Sequence, residues 1–233
     1  MSPVDPESQP DAESFVSLLV HELRTPLTAL RGSLGLLGSS VEDVSPDARN
    51  FAAIADRNAA ALASLLDDVA EYIRCTEAAA VPARETSDVT AVVQRAIEDV
   101  QAFASARGAT LEPPAGSALA DVDPALLRRA VVRLLLYAVA VSPPAAVIRI
   151  DVRAEAPEAL VITVSDHGRA VDAAAVSRVC EPFSPAARRS AERSVKPGLG
   201  LAIAARIAAL HGGALGFSQT GEGGCFTLRV PTR

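Results

Sequence analysis

The chain has 233 residues, 49% of them hydrophobic and 21% charged, with a formal charge of −6; that is enough apolar material for one large domain or two small ones around a real core. The acidic balance argues against general nucleic-acid binding, which wants a basic face. Cys75, Cys180 and Cys225 are odd in number and widely spaced, so they form neither a disulfide framework nor a metal-ligand cluster; they read as buried fillers in a reducing, cytoplasmic compartment.

Residues 1–12 are polar and proline-containing and read as a disordered N-terminus. Nowhere do eighteen apolar residues follow one another, so neither a signal peptide nor membrane insertion is expected. The first element then begins. Val16, Leu19, Leu23, Leu27, Leu30, Leu34 and Leu37 recur in steps of three and four, which traces one stripe of an amphipathic helix ending near Gly38. At about 100° per residue, His21 falls roughly 200° around from Leu19, away from that stripe. A solvent-side imidazole near its ordinary pKa keeps a free lone pair, and Glu22 can take the proton leaving the other ring nitrogen. Thr25, one turn on, puts a hydroxyl on the same face. Pro26 removes the hydrogen bond to the Glu22 carbonyl and costs the helix about 3 kcal/mol, which marks the surroundings of His21 as a shaped site.

Ser45-Pro46 supplies an N-cap and first-turn proline for a second helix. Phe51, Ile54, Leu62, Leu65, Val69 and Tyr72 keep the three-four spacing, with Asn58 the one polar interruption. Two helices with one stripe each cannot close a core alone. The economical solution is a homodimer whose two hairpins make a four-helix bundle, ahead of the alternative in which the hairpin docks on the rest of its own chain. These helices define a unit over 13–77, and the alanine-rich stretch with Pro82 that follows reads as a linker over 78–86.

A second unit over 87–233 mixes helices and strands. A helix is expected over Val89 to Arg107, short strands near Thr110 and Ala118, and a helix opened by Asp123-Pro124 and running to Val141. Strands follow at Val147 to Arg153 and Leu160 to Ser165, then a loop, a helix from Gly200 to Leu210, and closing strands near Leu215 and Phe226. The fold class is therefore α+β: a helical hairpin, then an α/β sandwich.

Several motifs along this chain resemble one family. His21 to Leu30, read as HELRTPLTAL, resembles the H-box of two-component sensor histidine kinases. Asp166-His167-Gly168-Arg169-Ala170 resembles their first glycine box, with Ala170 in place of a glycine. Glu181-Pro182-Phe183 resembles the phenylalanine box, and Gly198-Leu199-Gly200-Leu201-Ala202-Ile203 the second glycine box. Gly221, Gly223 and Gly224 complete the series. The resemblance implies a dimerisation and phosphoacceptor domain followed by an ATP-binding domain of the histidine kinase and gyrase type, with His21 as phosphoacceptor. Glu22 and Thr25 match the family's phosphatase signature. Asp166 and Gly168 would meet adenine. Gly198 and Gly200 would bring backbone amides to phosphate at a helix N-terminus. Arg188, Arg189, Arg193 and Lys196 lie in the intervening lid, where guanidinium forks suit phosphate oxygens as well as plain solvent.

The resemblance also implies ATP and Mg²⁺ as cofactors, and here the chain departs from it. By register from Asp123-Pro124 and Ser142-Pro143, the two N-box asparagines would fall at 133 and 137, and this chain has Arg133 and Tyr137. Magnesium demands hard oxygen ligands in a near-octahedral shell. A phenol is a poor substitute and a guanidinium repels the cation, so no metal ligand is assigned and ATP-dependent autophosphorylation is put in question. Two functions follow. In the first, phosphate passes through His21 to or from an aspartate of a response-regulator receiver domain. In the alternative, a pseudokinase acts as response-regulator phosphatase or docking scaffold with no ATP chemistry. With no sensor, anchor or receiver pattern in the chain, input is expected from a separate sensor or upstream partner, or from a region outside this chain.

Overall fold

The computed structural model describes residues 12–38, 46–76, 81–155, 159–169, 178–184, 199–219 and 221–232, with side chains in the first helix from 22 onward except 31, 37 and 38. The expected disordered N-terminus, Gly198, Ala170 and the four lid cations lie outside these residues. Two compact units emerge, one of Pro10–Glu71 and a larger one beginning at Tyr72.

In the smaller unit, α1 spans Ala12–Gly38 with Pro26 inside it, and α2 begins at Pro46 and runs to Thr76. Pro26 and Ser33 are buried, and Ser33 turns its hydroxyl back to the Ala29 carbonyl (2.9 Å). The leucine stripe is another matter: Leu27 is 50% and Leu34 56% exposed. In α2, Ala55 and Val69 are buried, Phe51, Ile54, Leu62 and Leu65 are half-covered, and Leu66 is 53% exposed. Asn58 answers its own polarity by donating to the Ile54 carbonyl (2.7 Å). A single chain leaves much of its apolar stripe uncovered.

The larger unit is built on a five-stranded sheet, β2 (Thr110–Glu112), β4 (Val147–Glu155), β5 (Ala159–Ser165), β7 (Gly224–Pro231) and β6 (Ala214–Gln219) in spatial order. β2 runs parallel to β4 and the other pairs are antiparallel. Register lines up apolar rows on one face. Ile150, Val164, Phe226 and Phe217 form one row, and Val152, Ile162, Leu228 and Leu215 another. Alternation in β4 leaves Arg149, Asp151 and Arg153 exposed on the opposite side, the pattern of a sheet covered on one face. The helices α3 (Val89–Ala106), α4 (Pro124–Val141) and α5 (Gly200–Leu210) supply the other half of the core. Leu127, Leu134 and Leu135 of α4 and Ile203 and Ile207 of α5 are fully buried.

One strand was not foreseen. β1 (Glu85–Asp88) pairs antiparallel with β3 (Leu119–Val122), straddling the end of the stretch expected to be a linker. Its four residues, Glu-Thr-Ser-Asp, have no apolar alternation, so backbone pairing rather than side-chain burial defines it. Asp88 then caps α3 through the Thr90 and Ala91 amides.

The start of α4 is tied to distant segments. The Asp123 carboxylate accepts from the Ala125 and Leu126 amides (3.0 Å each) as an N-cap, and its second oxygen accepts from the Ala83 amide (2.9 Å). The Asp123 amide donates to Nε2 of His211 (3.1 Å), and Nδ1 of His211 pairs with the Ile207 carbonyl (2.8 Å). Arg84 reaches the His211 carbonyl (2.6 Å). His211 is fully buried, and desolvation by burial lowers its pKa, so the ring stays neutral as this bonding requires. Asp123→Ala removes a cap and a long-range bond together, so unfolding in urea should show a loss of about 2 kcal/mol. A change below about 0.5 kcal/mol would mean that water replaces both bonds at no cost.

Candidate functional site

His21 sits in the middle of α1, four residues after Ser17 and five before Pro26; its side chain is outside those described. Glu22 is half-buried, Thr25 exposed and Pro26 buried. The helix runs through Pro26 to Gly38, so Pro26, which has no amide hydrogen to donate, does not end the helix.

In the larger unit the site grows from the loop after β5. Asp166 is 4% exposed. Its Oδ1 accepts from the amides of Gly168 (2.8 Å) and Gly224 (3.1 Å), while Oδ2 is buried with no hydrogen-bond partner among the described residues. Burial raises the Asp166 pKa, and the two amide bonds pull it back only in part. A buried carboxylate oxygen without a donor is costly. Such an acceptor fits an incoming amino group of the kind adenine carries.

Two glycines are needed for space. A methyl group on Gly224 would come within 2.6 Å of the Phe217 ring and 2.8 Å of Asp166 Oδ2, and one on Gly168 within 2.7 Å of Val141 Cγ2. All three distances are below real contacts, so any side chain would push the loop off Asp166. His167 follows Asp166, its amide donating to Ser142 Oγ (3.0 Å) and its Nε2 pairing with the Val147 carbonyl (3.0 Å).

α4 forms the adjoining wall. Arg133, Tyr137 and Val141 succeed one another four residues apart and share a broad face. Val141 packs against Gly168. Tyr137 is buried, its ring edge-on to Phe226 at 5.3 Å, and Phe226 in turn lies 4.8 Å from Phe217. Arg133 is half-buried with its stem along Gly200, Cδ lying 3.6 Å from where a methyl on that glycine would stand. Gly200 is the first residue of α5, whose N-terminus has no side-chain cap and no acidic residue in its first turn.

The structure thus brings Asp166, Gly168, Tyr137, Arg133 and Gly200 along one side of α4. Sequence reading missed Val141, Ser142 and the Phe217–Phe226 pair. Val141 carried a signal, since it continues the four-residue series from positions 133 and 137. The phenylalanine box is placed too: Phe183 is buried in a left-handed backbone conformation (φ 54°), and Ser184 Oγ donates to the Arg178 carbonyl (2.6 Å). A non-glycine residue there costs of order 1–3 kcal/mol, which surrounding packing has to hold. Cys180 is buried with its thiol pushed up to about 12, and so inert. Cys75 is buried and Cys225 half-buried.

A magnesium ion does not fit this donor set. Tyr137 turns an aromatic ring into the core and Arg133 brings a positive charge. Among the described residues no group of three or more His, Cys, Asp or Glu side chains could hold a metal ion. Likewise, no described helix is long and apolar enough to cross a membrane.

Residues 11–74 match the model of the His Kinase A (phospho-acceptor) domain, and residues 122–233 that of the histidine kinase-, DNA gyrase B- and HSP90-like ATPase. The ATPase match implies ATP binding. The sensor histidine kinase MtrB of Mycobacterium tuberculosis is 31% identical over 222 residues, covering 93% of this chain and 38% of MtrB. The chain therefore spans less than half the length of that relative. Among solved structures, the histidine kinase AdeS of Acinetobacter baumannii superposes with TM-score 0.73 at 19% identity, covering 91% of this chain and 98% of that one. The histidine kinase ThkA, solved in complex with the response regulator protein TrrA, gives TM-score 0.72 at 16% identity over 94% of this chain and 61% of that one; at such identity these two likenesses bear on fold alone. A phosphoacceptor helix carrying HELRTPLTAL, joined to an ATPase-type sandwich and matched over nearly its whole length by a sensor kinase, makes this chain a member of the two-component sensor histidine kinase family.

Proposed function

We propose that the chain is a homodimeric phosphotransfer module in which His21 carries a phosphoryl group to or from an aspartate of a response-regulator receiver domain. Glu22 accepts the proton released from the imidazole as its nitrogen attacks phosphorus. Thr25 orients the water that discharges the regulator. The domains divide at 13–77 and 87–233 on this reading, and the setting is cytoplasmic. The observation that carries it is the histidine–carboxylate pair on a helix held through Pro26, in a chain matched by a phospho-acceptor domain. ThkA, which shares this fold, is solved in complex with the response regulator protein TrrA, and we propose the same class of partner for this chain.

The half-exposed leucines of α1 and α2 support the dimer. Leu27, Leu34, Leu36 and Leu66 are each about half exposed or more, and pairing two hairpins covers such stripes. In the second unit, Asp166, Gly168, Gly198 and Gly200 would hold the nucleotide. Bound ATP would supply the phosphoryl group; this chain's residues bind and orient it. Asp166 accepts from the base through its partnerless oxygen, and the α5 amides face the phosphates. No metal ligand set accompanies them, because Arg133 and Tyr137 replace the asparagines. The comparisons give no support to the alternative of a docking scaffold without ATP chemistry, since the second matched family is an ATPase.

Sedimentation of the purified chain at micromolar concentration should give a dimer, and a receiver domain pre-loaded with labelled phosphate should lose its label faster with the wild type than with His21→Ala. A monomer, or equal rates for the two proteins, would overturn the proposal.

A further inference from the structure

We propose that this chain binds adenine nucleotides without a bridging metal ion, the Arg133 guanidinium beside the N-terminus of α5 supplying the positive charge that the family's asparagines recruit through Mg²⁺. The inference rests on the nucleotide site proposed above and names what neutralises the phosphates there.

Three observations converge on it. The first is the spacing of the wall. Arg133 packs on Gly200 at one end of the α4 face and Val141 packs on Gly168 at the other. Eight residues of helix separate them, about 12 Å at the α-helical rise, a span suited to a nucleoside diphosphate lying with its base by Asp166 and its phosphates by α5. The second is the partnerless, buried Oδ2 of Asp166 at the base end. It is an acceptor and points to a donor-bearing ligand independently of anything at the helix terminus.

The third observation is the charge at the phosphate end. A helix N-terminus carries the equivalent of about half a positive charge. α5 has no side-chain cap and no acid in its first turn, and the Arg133 stem lies against its first residue. The guanidinium, two bonds beyond that stem, is cationic and carries planar, paired N–H donors, the geometry that matches phosphate oxygens. A dication placed between them would be repelled by both, whereas an anion is attracted by both. Tyr137 reinforces the choice, because its ring is committed to Phe226 where a metal-binding amide would stand. The site therefore selects the phosphates themselves rather than their metal complex.

The consequence is an unusual metal dependence. In a site that holds nucleotide through Mg²⁺, chelation abolishes phosphate-dependent affinity. Here ADP should bind the full chain at least as well in excess EDTA as in excess Mg²⁺, because excess Mg²⁺ ties up the free diphosphate that the site selects. Arg133→Ala and the bulkier Arg133→Gln should each weaken ADP roughly ten- to a hundredfold, the worth of a charge-assisted bond. Adenosine, which has no phosphate, should bind both variants as it binds the wild type, and an unchanged circular dichroism melt confirms that they fold.

Calorimetric titration of ADP and adenosine, each in EDTA and in Mg²⁺, separates the outcomes. ADP affinity in EDTA equal to or above that in Mg²⁺, with an ADP-selective loss in both Arg133 variants, supports the proposal. ADP binding that collapses by more than about tenfold when EDTA replaces Mg²⁺ overturns it while leaving the nucleotide site standing. An equal loss of ADP and adenosine in the variants overturns it as well. Failure of ADP and adenosine to bind in either buffer overturns both this inference and the nucleotide site it rests on.

Discussion

Asp166→Asn should leave the larger unit folded and weaken adenine nucleotide binding by roughly ten- to a hundredfold, the cost of meeting a donor with a donor in a buried site. The asparagine oxygen can still accept from the Gly168 and Gly224 amides, so the loop keeps its shape. Its amide nitrogen then stands where Oδ2 stood and offers hydrogens to a base amino group that has only hydrogens to give. The same substitution changes the pH dependence of stability. Burial holds the Asp166 pKa above its ordinary value, so the folded state binds its proton more tightly than the unfolded chain does. The wild type accordingly loses stability as pH climbs from about 3.9 through the raised value, while the variant lacks that slope. Thermal melts of the two proteins across pH 4 to 7 and a nucleotide titration at neutral pH check both halves. Unimpaired binding would take Asp166 out of the nucleotide site.

The second large effect concerns metal dependence. In the Arg133→Asn, Tyr137→Asn double variant, Mg²⁺ should strengthen nucleotide binding by about tenfold or more, a gain that the wild type does not show. Each single change should do less. Tyr137→Asn restores an oxygen ligand but leaves a guanidinium opposing the cation, and Arg133→Asn removes the opposition but leaves the ring in the ligand's place. Residues one helical turn apart on one face seldom act additively. The aromatic ring also fills space against Phe226, so its loss should destabilise the domain by about 3–5 kcal/mol. Affinities are therefore to be compared at a temperature where both proteins are folded. A double variant indifferent to Mg²⁺ would mean that these two positions do not govern metal use.

Much of this organisation is legible in the sequence where one local signal suffices. α4 starts at Pro124 and ends at Val141, bounds that Asp123-Pro124 and Ser142-Pro143 mark by capping and by steric exclusion. Alternation marks β4, whose inward residues Ile148, Ile150 and Val152 are buried in turn. β1 escaped because Glu-Thr-Ser-Asp owes its conformation to β3, some thirty residues away. The cluster of Ala83, Asp123 and His211 escaped for the same reason, its histidine lying 88 residues beyond the aspartate it serves. At the site, position alone fixed Arg133 and Tyr137 on one face of α4. Local patterning does not show that Tyr137 spends its ring on Phe226 while Arg133 runs along Gly200, because both contacts cross to elements far along the chain.

If phosphate passes through His21 as proposed, the phosphoryl group can be located on that side chain. The wild-type chain is incubated with a phosphate-labelled receiver domain, and separately with γ-labelled ATP. The label that the chain takes from the receiver domain should be stable to base, labile to acid, confined to the peptide containing His21, and absent from His21→Ala. A label on any other residue, one that survives the loss of His21, or no label on the chain while the receiver retains its own would contradict it.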